Sequence, residues 1–229
     1  MFLSGYGPVL LEGTWMTIQL ALLSLLLSIV IGLIGASSKL SSLKIVRNIA
    51  TAYTTLIRSV PDLVIMLLMF YSLQLGLNSI TESLNMDQID INPFVAGVIT
   101  LGFIYGAYFT ETFRGAFQAV PKGQMEAAFA YGMTPLQVFR RVLFPQMMRF
   151  ALPGIGNNWQ VLIKATALVS LIGLTDIVKI TQDAGRSTMD VFYFSVIAAV
   201  IYLAITTVSN LILMWLERRY SVGVKKGQL

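Results

Sequence analysis

Long hydrophobic runs alternate with short polar segments along this chain. Five runs contain at least 19 residues each, and only the fourth holds a charge, Lys164. A helix of about 20 apolar residues crosses the hydrocarbon core of a bilayer. We therefore predict an all-α integral membrane protein whose residues 1–229 form one transmembrane domain. Its five predicted spans are residues 14–38, 59–81, 91–113, 150–175 and 191–216.

Polar segments before and after the second span have helical signals of their own. Apolar residues recur at steps of three and four from Leu43 to Ile57, which predicts an interfacial helix that runs into the second span. Asn92 and Pro93 fit an N-cap and first helical position for the third span.

Residues 121–145, called the elbow below, are polar and basic and predict two short helices joined by a turn. Pro121 suits the first helical position, and Gly132 suits a left-handed residue after the first helix. Thr134 and Gln137 fit a capping box for the second helix. That helix is expected to stop before Pro145, because proline disfavours helical geometry in the residue ahead of it.

The fourth span opens with a cluster of helix-breaking residues, Pro153, Gly154 and Gly156. This cluster predicts irregular backbone at membrane depth, which is tolerated only where it is buried or lines a cavity. Asn157 and Asn158 follow it, so they are candidates for a transport path or for hydrogen bonds between helices.

Composition removes several classes of function. The chain is 56% hydrophobic and 12% charged, with a mean hydropathy of +0.75, whereas a soluble domain has about a quarter charged residues. It has no cysteine and no histidine, and no phosphate-binding loop motif. We therefore expect no catalytic residue, metal site, cofactor or nucleic-acid partner in this chain.

The basic residues predict the orientation in the bilayer. Of the 16 lysines and arginines, 13 fall after the first span, around the elbow or after the fifth span. By the positive-inside rule, the N-terminus lies outside and the C-terminus and elbow lie in the cytoplasm. The 13 residues are Lys39, Lys44, Arg47, Arg58, Arg114, Lys122, Arg140, Arg141, Arg149, Arg218, Arg219, Lys225 and Lys226.

Two pairs of opposite charges lie near the inner ends of predicted spans. Arg58 and Asp62 are four residues apart, and Glu111 and Arg114 are three apart. Either spacing places both charges on one helix face, which favours ion pairs that stabilise the fold. The alternative is that these residues line the transport path or its gate, and Glu111 is retained as a path candidate.

Lys164 lies deep in the fourth span, with no acidic residue within a helical turn of it in sequence. An ionisable residue in the membrane is costly and needs a partner, so Lys164 either anchors the structure or lines a path. Tyr105 and Tyr108 in the third span are further path candidates.

The elbow contains a spaced motif: Glu126-Ala127-Ala128, Gly132 after three residues, and Val142-Leu143-Phe144-Pro145 after nine more. This spacing resembles the coupling loop of ABC importer permeases. The resemblance implies a type I permease fold in which this loop docks on an ATPase subunit, with Arg140 and Arg141 beside it. ATP and magnesium then bind to the partner ATPase dimer.

Three further segments, Thr55–Pro61, Tyr108–Gly115 and Leu152–Leu168, resemble the polar amino acid branch of these permeases. This implies a subunit of the bacterial inner membrane that works with a second, related permease and a periplasmic binding protein. The branch implies alternating access driven by ATP and import of basic amino acids such as histidine, lysine, arginine and ornithine.

Many members of the branch have Asp and Ser where this chain has Ala165 and Ala167. We therefore expect a different permease chain, rather than a second copy of this one, to supply more of the substrate contacts. The alternative functions are an ion-gradient-driven transporter or channel subunit and a membrane scaffold that transports nothing.

Overall fold

The computed structural model describes residues 5–220, and every regular element in that range is a helix. Four helices are long and apolar enough to cross a membrane: α1 (Gly7–Leu40), α3 (Asp62–Ser83), α4 (Pro93–Ala119) and α9 (Val191–Tyr220). A fifth crossing is possible where the helix Pro135–Ile172 meets α8 (Ile177–Thr188) at 57°. The predicted all-α fold is confirmed, with four to five candidate spans in the described residues where about five were predicted.

The spanning helices are longer than their hydrophobic runs. Helix α1 begins at Gly7, ahead of the predicted start at residue 14, and α4 continues to Ala119. At the start of α4, the Asn92 side chain accepts a hydrogen bond from the Phe94 N–H at 2.9 Å, which confirms the predicted cap. Two of the basic residues used to predict orientation, Lys225 and Lys226, lie outside the described residues.

Helix α2 (Lys44–Ser59) is the predicted amphipathic helix, but it does not run into the second span. The chain is extended at Val60 (φ −110°, ψ 142°), and Pro61 caps α3. A residue that precedes proline is driven out of helical geometry, which explains the break.

Helix α4 lies at the centre of the bundle and packs along α1. Gly102 faces Leu27, and Gly35 faces Thr110, at positions where a Cβ atom would not fit. Small residues of this kind let membrane helices approach closely. The large side chains of Tyr105 and Phe109 fill the interior of this bundle.

The prediction that a helix ends before Pro145 is wrong. Helix α6 (Pro135–Val138), a π-helical turn (Phe139–Leu143) and α7 (Phe144–Ala165) form one continuous helix. Proline lacks an N–H and its ring collides with the carbonyl four residues earlier in an α-helix. A π turn changes this pairing to five residues, so it accommodates Pro145 without ending the helix.

The predicted irregular backbone around Pro153 is also wrong, because α7 stays helical there. Irregular geometry instead follows α7, where Thr166–Ile172 forms a 3₁₀ helix that ends at Gly173. The fourth predicted span, 150–175, therefore ends in a 3₁₀ helix and a short non-helical segment. Helix α8, which the sequence did not predict, packs against α1 and α9.

Candidate functional site

The elbow has the predicted turn between α5 (Lys122–Ala130) and α6. Gly132 has φ +78°, the left-handed conformation expected of it, and its N–H donates to the Phe129 carbonyl at 2.9 Å. The capping box is present: the Gln137 N–H donates to Thr134 Oγ1, and the Thr134 N–H donates to Gln137 Oε1. Pro121 differs by one residue, because it is the N-cap of α5 and not its first helical residue.

The elbow's motif residues are divided between its surface and its interior. Glu126, Ala127, Arg140 and Arg141 are exposed, and Pro145 is half-buried. Ala128 is only 5% exposed, so it packs inside the elbow and does not belong to the exposed surface.

The sequence analysis missed the exposed apolar residues of the elbow, among them Phe129, Tyr131 and Leu136. Phe129, Tyr131 and Leu136 project from α5, the turn and α6, and Tyr131 is 87% exposed. Large exposed apolar side chains in a polar segment are typical of protein-binding sites. The sequence could have revealed these residues, because large apolar side chains in a segment too polar to span a membrane are candidates for surface exposure.

A cluster of three charged residues, Lys39, Glu111 and Arg114, joins the inner ends of α1 and α4. Arg114 lies 2.8 Å from Glu111, so the predicted pair is present. The Lys39 ammonium also pairs with Glu111 and donates to Thr54 Oγ1 of α2 at 2.9 Å. This Glu111 cluster is closed, since the carboxylate has a cation on each side.

The predicted ion pair between Arg58 and Asp62 is not formed within residues 5–220. The Tyr105 hydroxyl donates to Asp62 at 2.9 Å, and the Arg58 guanidinium lies 5.5 Å from the centre of the Tyr108 ring. The four-residue spacing pairs charges only within one helix, and the break at Val60 separates Arg58 from α3.

Helix α7 presents a stripe of exposed residues at helical spacing: Pro153, Asn157, Val161 and Lys164. We call it the α7 stripe. It carries an amide and an ammonium group, and no ion pair holds Lys164 in the part of the chain that the structure describes. Polar groups at membrane depth face the bundle interior, a partner or water. The α7 stripe is therefore the surface of this chain that another polar surface must cover.

Neighbouring Asn158 has a different role. Its side-chain N–H donates to Thr112 Oγ1 of α4 at 3.0 Å, and it is buried. Gly154, one turn earlier, packs directly on Thr112. The residues expected to break the helix thus allow α7 to approach α4.

Of the predicted path residues, the structure leaves two open, Asn157 and Lys164. Tyr105 is buried and stacks at 5.5 Å on Tyr108, which is half-buried. With Asn158 bonded to α4 and Glu111 in its cluster, the predicted path residues do not form a single site within this chain.

Comparison with known proteins identifies the family. The family model for the inner membrane component of binding-protein-dependent transport systems matches residues 12–222. The chain belongs to this family. One relative is the permease protein HisQ of the histidine/lysine/arginine/ornithine transport system of Salmonella typhimurium, 64% identical over 99% of this chain and 100% of that protein.

Two more distant relatives are named after the transport of octopine and of arginine. The octopine permease OccQ of Rhizobium radiobacter is 36% identical over 97% of this chain and 94% of that protein. The arginine permease ArtQ of Escherichia coli is 35% identical over 89% and 91%.

A solved structure has the same fold. An amino acid ABC transporter crystallised with histidines matches with a TM-score of 0.78 and 33% identity, over 93% of this chain and 95% of that one. The chain is therefore a multi-pass permease subunit of an ABC importer with the type I fold.

Proposed function

We propose that this chain is one of two permease subunits of an ATP-driven importer of basic amino acids in the bacterial inner membrane. The observation that carries the proposal is full-length similarity to permeases whose names include histidine, lysine, arginine and ornithine. The similarity to an arginine permease at lower identity points to the same class of cargo.

The elbow is the docking surface for the ATPase partner. Its exposed Phe129, Tyr131 and Leu136 supply apolar contact area, and Arg140 and Arg141 supply positive charge beside it. By the positive-inside rule this surface is cytoplasmic, where ATP is available. ATP and Mg²⁺ bind to the ATPase dimer, and this chain provides the surface that the dimer moves.

Movement of the elbow reaches the membrane through one helix. The rod that runs from Pro135 through α7 to Ala165 is about 45 Å long at 1.5 Å per residue. It begins in the elbow and carries the α7 stripe near its other end. Closure of the ATPase dimer therefore shifts the α7 stripe and changes which side of the membrane the substrate path opens to. No other helix is needed to transmit the movement.

The α7 stripe lines the substrate path. An amino acid carries an α-carboxylate, which suits the Lys164 ammonium, and an α-ammonium, which suits the Asn157 carbonyl oxygen. Charge-assisted hydrogen bonds of this kind are about twice as strong as neutral ones. Exposed acids on the outer side, including Asp87 and Asp90, raise the local concentration of a cationic substrate.

A second, different permease chain completes the path. Ala165 is buried, Ala167 is half-buried, and neither has a polar side chain to offer the substrate. The partner then recognises the cationic side chain, and a periplasmic binding protein delivers the amino acid to the outer face.

The elbow's role is tested by Gly132→Asp in the full complex. A side chain at φ +78° is strained, so the turn between α5 and α6 shifts although nothing lies within 4 Å of Gly132. We expect normal insertion, continued ATP hydrolysis and loss of uptake in proteoliposomes. The matched control is Gly123→Asp, which adds the same charge in the first turn of α5, where backbone geometry is helical and the space is open.

Normal uptake by Gly132→Asp would contradict the docking role. The rival function, an ion-gradient-driven transporter or channel, predicts a different result: transport that persists when the ATPase subunit is removed. Reconstituted complexes that move no solute under any condition would favour the scaffold.

A further inference from the structure

Four residues of α2, α3 and α4 meet where α3 begins. The Tyr105 hydroxyl of α4 donates to Asp62 Oδ2 at 2.9 Å. The Tyr105 ring stacks on the Tyr108 ring, with the two ring centres 5.5 Å apart. The Arg58 guanidinium, from the last turn of α2, lies 5.5 Å from the centre of the Tyr108 ring. We call these four residues the Arg58 cluster.

The Arg58 side chain is held weakly in this cluster. It is exposed, and no ion pair binds it within residues 5–220. An exposed cation–π contact corresponds to a preference of only about 2- to 5-fold. Because the side chain is long and exposed, its guanidinium can leave the Tyr108 ring without a change in either helix.

The Asp62 carboxylate has room for a cation. It is half-buried, and the described part of the chain places no lysine or arginine within ion-pair distance of it. Acidic residues in membrane helices usually pair with a cation, as Glu111 does in this chain. Because Tyr105 is bonded to Asp62 and stacked on Tyr108, the carboxylate lies beside the Tyr108 ring. A negative charge beside an aromatic ring attracts a cation.

The Arg58 cluster lies at about the depth of Lys164. Thr112 of α4 contacts Asn158 of α7, and the two helices run antiparallel. At 1.5 Å per residue, Lys164 lies about 9 Å beyond Asn158, and Tyr108 lies about 6 Å beyond Thr112 in the same direction. Tyr108 and Thr112 are one turn apart, so they share the face of α4 that meets α7. A cation bound at Tyr108 therefore differs in depth from Lys164 by about 3 Å.

We propose that Asp62 and the Tyr108 ring bind the cationic side chain of the cargo, and that Arg58 occupies this site when no cargo is present. The inference rests on the proposed function, because it requires a basic amino acid as cargo. The guanidinium or ammonium group of such an amino acid has the same chemistry as the Arg58 side chain that it displaces. This site adds a contact on this chain to the one that the second permease chain provides.

The deciding variant is Arg58→Gln in the complete complex, reconstituted in nanodiscs without the binding protein. Loss of the guanidinium frees the site, so we expect arginine to bind about 3-fold more tightly. A role of Arg58 in stability alone does not predict tighter binding. The matched control is Arg47→Gln, which removes another exposed arginine from α2 and should leave affinity unchanged. Equilibrium binding of radiolabelled arginine is the measurement.

Citrulline has nearly the shape of arginine without its charge, so it isolates recognition of the cation. Its affinity, measured by competition with labelled arginine, should not change in Arg58→Gln. The second variant, Asp62→Asn, keeps an acceptor for the Tyr105 hydroxyl and removes the charge. We expect it to weaken arginine binding about 5-fold and to leave citrulline binding unchanged.

Two results would overturn this inference and leave the importer function intact. Unchanged or weaker arginine binding in Arg58→Gln would show that its guanidinium does not occupy a cargo site. Equal weakening of arginine and citrulline binding in Asp62→Asn would show that Asp62 supports the fold and does not recognise charge. Failure of the unmodified complex to bind any basic amino acid would overturn both the inference and the proposed function.

Discussion

The Glu111 cluster and the α7 stripe both place charged side chains in membrane-spanning helices, but they differ in what surrounds the charge. Glu111 is enclosed by Lys39 and Arg114, so its charge is neutralised within the chain. Lys164 lies exposed on α7 with no carboxylate beside it in the described range. The first arrangement joins α1 to α4, and we propose that the second contacts another molecule. A charge in a membrane helix thus indicates function only after its neighbours are known.

The largest expected effect on stability is that of Glu111→Ala. It leaves Lys39 and Arg114 without their shared carboxylate, and losing hydrogen bonds to charged groups in this half-buried cluster costs about 2 kcal/mol. Denaturant titration of the purified complex measures this loss. The control is Glu82→Ala, at an exposed position near the end of α3, where a change within about 0.5 kcal/mol is expected.

The comparison would fail if Glu111→Ala kept full stability and lost uptake. Glu111 would then belong to the transport path together with Lys164, and the distinction between enclosed and exposed charges would carry no functional meaning.

The next effect is that of Lys164→Gln, which should leave stability unchanged and weaken substrate binding. A hydrogen bond to a charged group contributes about 1.5–3 kcal/mol, which corresponds to a loss of affinity of about 10-fold or more. Binding of the amino acid to the complex, without the binding protein, is the measurement. The control is Lys179→Gln, which removes a lysine that pairs with Asp183 on the surface of α8.

If Lys164→Gln lowered the unfolding free energy and left affinity intact, Lys164 would be an anchor, as the sequence allowed. The α7 stripe would then be a contact with the second permease chain and not a substrate path.

The smallest effects come from two adjacent amides, Asn157 and Asn158. Asn158→Ala removes the hydrogen bond to Thr112 and should cost about 1 kcal/mol of stability, with little direct effect on binding. Asn157→Ala should do the reverse, because its side chain is exposed on the α7 stripe. Each variant is the control for the other, measured by the same denaturant titration and binding assay. Equal effects from both would contradict their separate assignments.

Local features of the chain were predictable from sequence because they depend on a few neighbouring residues. The left-handed Gly132 and the Thr134 capping box are set by intrinsic preferences of glycine, threonine and glutamine. The four long apolar helices follow from hydrophobic length. Features set by a few neighbouring residues were therefore accessible from sequence.

Features that depend on contacts between distant segments were not predictable in this way. Lys39 and Glu111 are 72 residues apart in sequence, and no local pattern connects them. The Arg58–Asp62 ion pair shows the opposite error, because a local pattern predicted a contact that does not form. The four-residue spacing pairs charges within one helix, and the chain leaves helical geometry at Val60 between the two residues. The helix end before Pro145 was predicted wrongly because the general preference of proline for helix ends takes no account of a π turn. Here a π turn accommodates the proline within a continuous helix.

The π turn at Phe139–Leu143 has a mechanical consequence, because it keeps the helix from Pro135 to Ala165 unbroken. A tilt of about 10° around the middle of a rod about 45 Å long moves each end by about 4 Å, in opposite directions. A small inward push on the cytoplasmic end would thus swing the far end outward by a similar amount. A flexible joint at Pro145 would bend instead, and the far end of the helix would then move less.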